Sequence, residues 1–92
     1  MSLKGRNQEM NTATAVQSEA IWLRAPNYDV SALNTKLAGR VPELKSALQT
    51  GLAAWPDMTR RNFYDVELTT GWAYIHVRED NQIVYLVAYS RL

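Results

Sequence analysis

From Phe63 to the end of the chain, apolar and polar residues alternate with a period of two. The segments FYDVEL, AYIHVRE and IVYLVAYS predict three antiparallel strands. Thr70-Gly71 and Asp80-Asn81 supply the turns, because Gly and Asn tolerate positive φ. Two-residue loops at both places fix a register. The first hairpin pairs Val66 with Ile75, Tyr64 with Val77 and Asp65 with His76. The second pairs Val77 with Val84, Ile75 with Leu86, Tyr74 with Val87 and Trp72 with Tyr89. One face then collects Tyr64, Val66, Leu68, Ala73, Ile75, Val77, Val84, Leu86 and Ala88. The other collects Phe63, Trp72, Tyr74, His76, Ile83, Tyr85, Val87 and Tyr89, with Asp65, Glu67 and Arg78 among them. A slip of one residue would scramble both sets, so their agreement supports the meander.

Upstream the period lengthens. Val30, Leu33, Leu37, Val41, Leu44, Leu48, Leu52 and Trp55 recur at steps of three and four, which describes one helical stripe. Gly39 and Pro42 interrupt it, since Pro lacks the N–H that a helix interior needs and its ring collides with the previous turn. Two helices, about 30–38 and 42–54, or one kinked helix, follow from this. Asp29 or Ser31 caps the first, and Pro56 ends the second. Glu19–Ala25 fits two patterns. Ile21 and Leu23 alternate against Trp22 and Arg24 as in a strand, whereas Val16, Ala20 and Leu23 share a helical face. The abrupt close at Pro26-Asn27 favours the strand.

The expected architecture is a single α+β domain over 19–92, in the order β-α-α-β-β-β. A three-stranded antiparallel meander, with a further N-terminal strand, packs on two helices or one kinked helix. Residues 1–18 are polar and read as a mostly disordered arm. Met10 is a second candidate start, so no function is built on Lys4 or Arg6.

Length and composition narrow the function classes. Ninety-two residues make one domain, with room for a modest core and not for a core plus a deep cofactor pocket. The absence of cysteine excludes disulfides, thiolate zinc sites and thiol catalysis. The longest apolar run, Ile83 to Tyr89, is too short to span a membrane, and no secretory signal is legible. A cytoplasmic location is expected. Ten basic against nine acidic residues give no strong field toward nucleic acid or lipid.

Candidate chemistry is sparse. His76 is the only histidine, and the register sets it beside Asp65 and Tyr85. A His–carboxylate pair can act as an oriented base, but no serine or cysteine is spaced to use it. Asp65, Glu67, Glu79 and Asp80 follow no metal-ligand spacing, so no metal and no cofactor is expected. Arg60-Arg61-Asn62 could grip a phosphate, although adjacent arginines in a polar loop usually solvate. The second sheet face is too aromatic for plain solvent, since antiparallel sheets normally leave that face polar. Phe63, Trp72, Tyr74, His76, Tyr85 and Tyr89 are the candidate partner- or ligand-binding residues. A subunit interface suits them better than base stacking, which needs a basic rim where Asp65 and Glu67 stand.

The stretches VPELKSALQTGL and FYDVELTTGWAYIHVREDNQIVYLVAYSRL, with Tyr64-x-Val66-x-Leu68-x-x-Gly71-Trp72 at their centre, resemble the RelE/ParE toxin superfamily. That resemblance implies helices followed by a meander, and cleavage of mRNA on the ribosome by basic sheet residues. The position after the aromatic of the first turn, where the family commonly has arginine, is Ala73. Asp65 and Glu67 lie where its lysines would fall. Tyr89, Arg91 and Arg78 keep suitable chemistry and, with His76, are the candidate catalytic residues. Carboxylates in that position repel the phosphate that basic groups would hold. The sequence therefore points first to a non-catalytic protein-interaction or homodimerisation module using the aromatic face. The alternatives are a divergent RelE/ParE-like ribonuclease and a small-ligand binder.

Overall fold

The computed structural model describes residues 19–92, and the arm expected over 1–18 lies outside them. The chain runs β1 (Ile21–Leu23), β2 (Asp29–Ala32), a 3-10 turn (Thr35–Arg40), α1 (Val41–Thr50), β3 (Leu52–Pro56), β4 (Phe63–Glu67), β5 (Gly71–Arg78) and β6 (Ile83–Arg91). All six strands form one mixed sheet in the order β1-β3-β4-β5-β6-β2. Strand β2 runs parallel to β6, and every other pairing is antiparallel. This corrects the expected fold. Among the described residues the sheet has six strands, not three plus one, and a single α-helix covers it.

The error lies in the leucine stripe, whose 3–4 spacing runs across four elements. Val30 belongs to β2, and Leu33 follows it, 59 % exposed. Leu37 lies in the 3-10 turn, while Leu52 and Trp55 belong to β3. Only Val41, Leu44 and Leu48 are truly helical. Pro42 occupies the first turn of α1, as its missing N–H allows, and Glu43 follows it there. Gly51, at φ 101°, ends the helix, with its N–H donating to the Ala47 carbonyl at 2.8 Å. Leu-Ala-Ala-Trp then alternates in and out as β3. With alanine at both positions between them, Leu52 and Trp55 suit one face of a helix as readily as the opposite faces of a strand.

Strands β1 and β2 lie at opposite edges of the sheet, yet only residues 24–28 join them. Five strand spacings of about 4.8 Å make a flat sheet about 24 Å wide. The steps from Leu23 to Asp29 reach at most about 21 Å. The link must also travel along the strands, because Leu23 is level with Leu52 whereas Asp29 is level with Ile83 and Arg78 at the other end. The sheet is therefore coiled until its diagonal corners converge, as right-handed twist permits. Helix α1 sits in the concavity. The link is tied to it where Ala25 N–H donates to Leu48 O at 2.9 Å and Lys45 Nζ donates to Tyr28 O at 2.9 Å. Leu44 and Leu48 close a core with Leu52, Ala54, Val66, Ile75, Val84 and Leu86, all buried.

Two details of register decide what the outer face carries. The first hairpin turns at Thr69-Thr70, closed by mutual backbone bonds between Leu68 and Gly71, so Val66 pairs with Ala73 and Phe63 with His76. The displacement from the expected pairing is an even number of residues, which preserves the faces and changes the neighbours. His76 therefore opposes Phe63, not Asp65. In the second hairpin the expected register holds from Arg78–Ile83 to Ile75–Leu86 and then shifts, with Tyr74 opposite Ala88 and Ala73 opposite Tyr89. Val87 is the extra residue of a β-bulge, a device that also sharpens the local bend. Beyond it every side chain of β6 changes face.

Candidate functional site

Aromatic rings line the convex side of the sheet, away from α1. Phe63 on β4, His76 on β5 and Tyr85 on β6 stand on neighbouring strands as a ladder. Phe63 and His76 stack with centroids 4.2 Å apart, and His76 lies 6.3 Å from Tyr85 at a 20° interplanar angle. Tyr74 lies 5.4 Å from Phe63, and Trp72 meets Trp55 of β3, also at 5.4 Å. Each spacing suits offset or tilted ring packing.

The loop over residues 57–62 reaches over one margin of this surface. The Arg60 guanidinium lies 3.8 Å from the Phe63 ring centroid, and Asn62 takes φ 66°. The Asn62 carbonyl lies 3.3 Å from His76 Nδ1. Asp57 anchors the loop. One of its oxygens accepts from Thr59 N–H at 2.9 Å and Thr59 Oγ1 at 2.8 Å, while the other accepts from the Tyr74 hydroxyl. Burial acts to raise the Asp57 pKa, but these donors and the nearby Arg60 charge hold it below the ordinary value. Burial, then the bond to Asp57, pushes the Tyr74 phenol up from 10.0 to about 12. Tyr74 therefore contributes stability that is complete below its unfolded pKa and is lost as pH rises from about 10 to about 12. Urea titrations at pH 8 and pH 11.5 should differ by on the order of 1–2 kcal/mol from this group, and Tyr74→Phe should reduce that difference.

The structure brings together five of the candidate binding residues: Phe63, Trp72, Tyr74, His76 and Tyr85. Tyr89 is the correction. The bulge at Val87 turns it to the helix side, where Arg40 lies 4.6 Å from its ring centroid and its hydroxyl meets Thr70 Oγ1. Thr70 and Thr69 also donate to the Glu43 carboxylate at 2.9 and 2.7 Å, the Thr69 bond foremost in lowering its pKa. Tyr89 thus belongs to a network holding the β4–β5 turn against α1. The expected His76–Asp65 pair does not form either, because the first hairpin opposes Asp65 to Tyr74.

The four candidate catalytic residues are not assembled. Arg91 pairs in register with Gly71 at one end of β5, and Arg78 lies at the other end. Seven residues of strand separate those ends by about 23 Å. Arg91 and Tyr89 share the helix-facing parity, whereas Arg78 and His76 are on the convex face. Arg78 is held by Asp80, with Nη2 to Oδ2 at 2.8 Å. No group of three His, Cys, Asp or Glu among the described residues is placed to bind a metal.

An open depression of about 240 Å³ is lined by Leu33, Arg60, Phe63, His76, Arg78, Tyr85 and Val87. It lies below the roughly 300–1,000 Å³ of small-molecule sites and has space for a ring-sized side chain. Sequence reasoning missed Trp55, Leu33 and the Asp57–Tyr74 bond, having spent Trp55 and Leu33 on the helical stripe. The alternation Leu52-Ala53-Ala54-Trp55 was the available signal. No helix among the described residues is long and apolar enough to cross a membrane. No protein-family model matches the chain, and no curated protein or solved structure matches it at a significant level.

Proposed function

We propose that this chain is a non-catalytic protein-interaction domain whose convex aromatic sheet face is the recognition surface. One observation carries this reading: a ladder of half-buried rings crosses three adjacent strands outside the core that α1 closes. A face of a sheet that meets only water is normally polar. Aromatic rings with depleted charge at the centre and charged residues at the margins are the composition of an interface core and its rim. Here Trp72 and His76 stand half-buried on the middle strand with Tyr74 buried between them, Asp65 lies beside Tyr74 on β4, and Glu67, Arg60 and Arg78 stand further out.

Photo-crosslinking in the producing cell tests it. A benzophenone amino acid at position 85 samples the aromatic face, and one at Ser46, exposed on α1, samples the opposite side. The expected result is discrete protein adducts from position 85 that are absent from position 46. Indistinguishable adduct patterns from the two positions would overturn the reading.

A further inference from the structure

Three rings of this chain carry a cation supplied by the chain itself. The Arg60 guanidinium lies 3.8 Å from the Phe63 centroid and 5.9 Å from that of Tyr74, and Arg40 lies 4.6 Å from the Tyr89 centroid. Tryptophan holds a cation better than either phenylalanine or tyrosine. Yet among the described residues no cation lies over Trp22, Trp55 or Trp72. Trp55 and Trp72 make a corner of the convex face. They stand on β3 and β5 with β4 between them, and strands two places apart are separated by about 9.6 Å. Ring centroids 5.4 Å apart at a 58° tilt therefore mean that the two indoles lean toward each other over β4. Two carboxylates of β4 share that face. Asp65 opposes Trp55 and Tyr74, with its Oδ1 withdrawn from solvent. Glu67 opposes Trp72 and is exposed, and among the described residues it takes part in no ion pair. The basic groups around the corner are turned elsewhere. Arg24 Nε donates to the Gln49 carbonyl at 3.1 Å, and Arg91 has the helix-facing parity of Gly71, its register partner. Arg60 and Arg61 belong to the loop before Phe63, at the other end of β4, and Arg78 is held there by Asp80.

We propose that this corner is the seat for an arginine side chain of a protein partner, which lies flat on the Trp72 ring and turns its fork to the Glu67 carboxylate. This rests on the interaction reading above and adds the partner's anchoring group. Directly opposite residues of antiparallel strands have Cβ atoms about 4.5–5.5 Å apart, so a group resting on the Trp72 indole is within reach of Glu67. The occupant must be cationic to answer that carboxylate and planar to gain from the ring at the same time. A guanidinium is both: it stacks on an aromatic face and donates two parallel N–H bonds to one carboxylate. An ammonium is a strongly hydrated point charge with no plane to stack. Trp55, tilted against Trp72, gives the incoming side chain a second wall. The other end of the face holds the same combination within the chain, where Arg60 lies on Phe63 and the Asp57 carboxylate feels its charge. Arginine and tryptophan are also the residues on which interface energies concentrate.

The test titrates the full chain with three short peptides that are identical except for a central arginine, lysine or citrulline. Citrulline keeps the planar shape of arginine and removes the charge. The readout is the set of tryptophan indole N–H resonances, assigned from Trp55→Phe and Trp72→Phe. With the arginine peptide the Trp55 and Trp72 signals should shift saturably, while that of Trp22, whose ring lies over Gly51 at the sheet edge, should stay. The lysine and citrulline peptides should bind at least about tenfold more weakly. Glu67→Gln should weaken the arginine peptide by about tenfold and remove most of its salt dependence. Indole signals that do not move with the arginine peptide, equal affinity for the citrulline or lysine peptide, or a Glu67→Gln chain that binds as tightly as the parent would each overturn the proposal. Should Glu67→Gln misfold by circular dichroism, the comparison of arginine with citrulline on the parent chain decides alone. Position-85 adducts that persist at parental yield in Glu67→Lys, with no peptide binding to the parent, would remove the arginine seat and leave the interaction reading intact.

Discussion

Leu48→Ala will cost about 2–5 kcal/mol, the range for truncating a fully buried leucine that leaves a cavity. Leu48 is 1 % exposed, on the one α-helix that covers the concave side of the sheet. The bond from Ala25 N–H to the Leu48 carbonyl at 2.9 Å is main chain and survives the substitution, so the cavity sets the cost. A coiled sheet has little freedom to collapse onto the vacancy, because its curvature is fixed by the 24–28 link and by the bulge at Val87. Urea denaturation followed by tryptophan fluorescence measures the loss. Ser46→Ala, on the exposed side of the same helix, should stay within about 0.5 kcal/mol of the parent.

Gly71→Ala is expected to be nearly as damaging, at about 2–3 kcal/mol, for a different reason. Gly71 is buried and not at positive φ, so backbone freedom is not the issue. A Cβ there would overlap the Ser90 carbonyl oxygen and lie 2.8 Å from Arg91 Cα. Both obstacles are backbone, so β5 and β6 would have to separate where they meet the β4–β5 turn. Gly51→Ala is the informative comparison. Gly51 sits at φ 101°, and its Cβ would meet the Trp22 indole, with Cζ2 at 2.9 Å. Trp22 is 68 % exposed and can swing away, which leaves mainly the strain of holding a Cβ at φ 101° and ψ 150°, about 1–3 kcal/mol. The order Gly71→Ala worse than Gly51→Ala, read as urea midpoints, separates steric exclusion from conformational cost. The reverse order would mean that β5 and β6 part more easily than their pairing implies.

The contrast between strands and helices in this chain shows which signals survive in a sequence. Strands β4, β5 and β6 were legible because tyrosine, valine and isoleucine alternate there over long runs with turn residues between them. The faces were legible too, down to Phe63, Trp72, Tyr74, His76 and Tyr85, because hairpin parity tolerates an even displacement. Tyr89 was not, because no residue at Val87 announces a bulge. The bulge follows from the coiling of the sheet, which depends on residues far away in the chain. The stretch 30–55 was misread because its apolar spacing suits a helix while the pairing partner of β2 lies beyond residue 80. A four-residue edge strand such as Asp29–Ala32 exists only because β6 is there to receive it. The loop at 57–62 over the aromatic face was equally hidden, since nothing local ties Asp57 to Tyr74.

The parallel edge has a consequence for how the chain comes to its final form. Asp29 pairs with Ile83 and Ala32 with Leu86, so this seam can be sewn only after the last strand exists. Synthesis runs from the N-terminus, and of the six strands β6 is the last to emerge from the ribosome. Strand β2 must wait until β6 has been made, whereas β1 needs only β3. Closing a ring of more than fifty residues is slow compared with zipping adjacent hairpins, so β2 is the latecomer of the sheet and the first edge to let go.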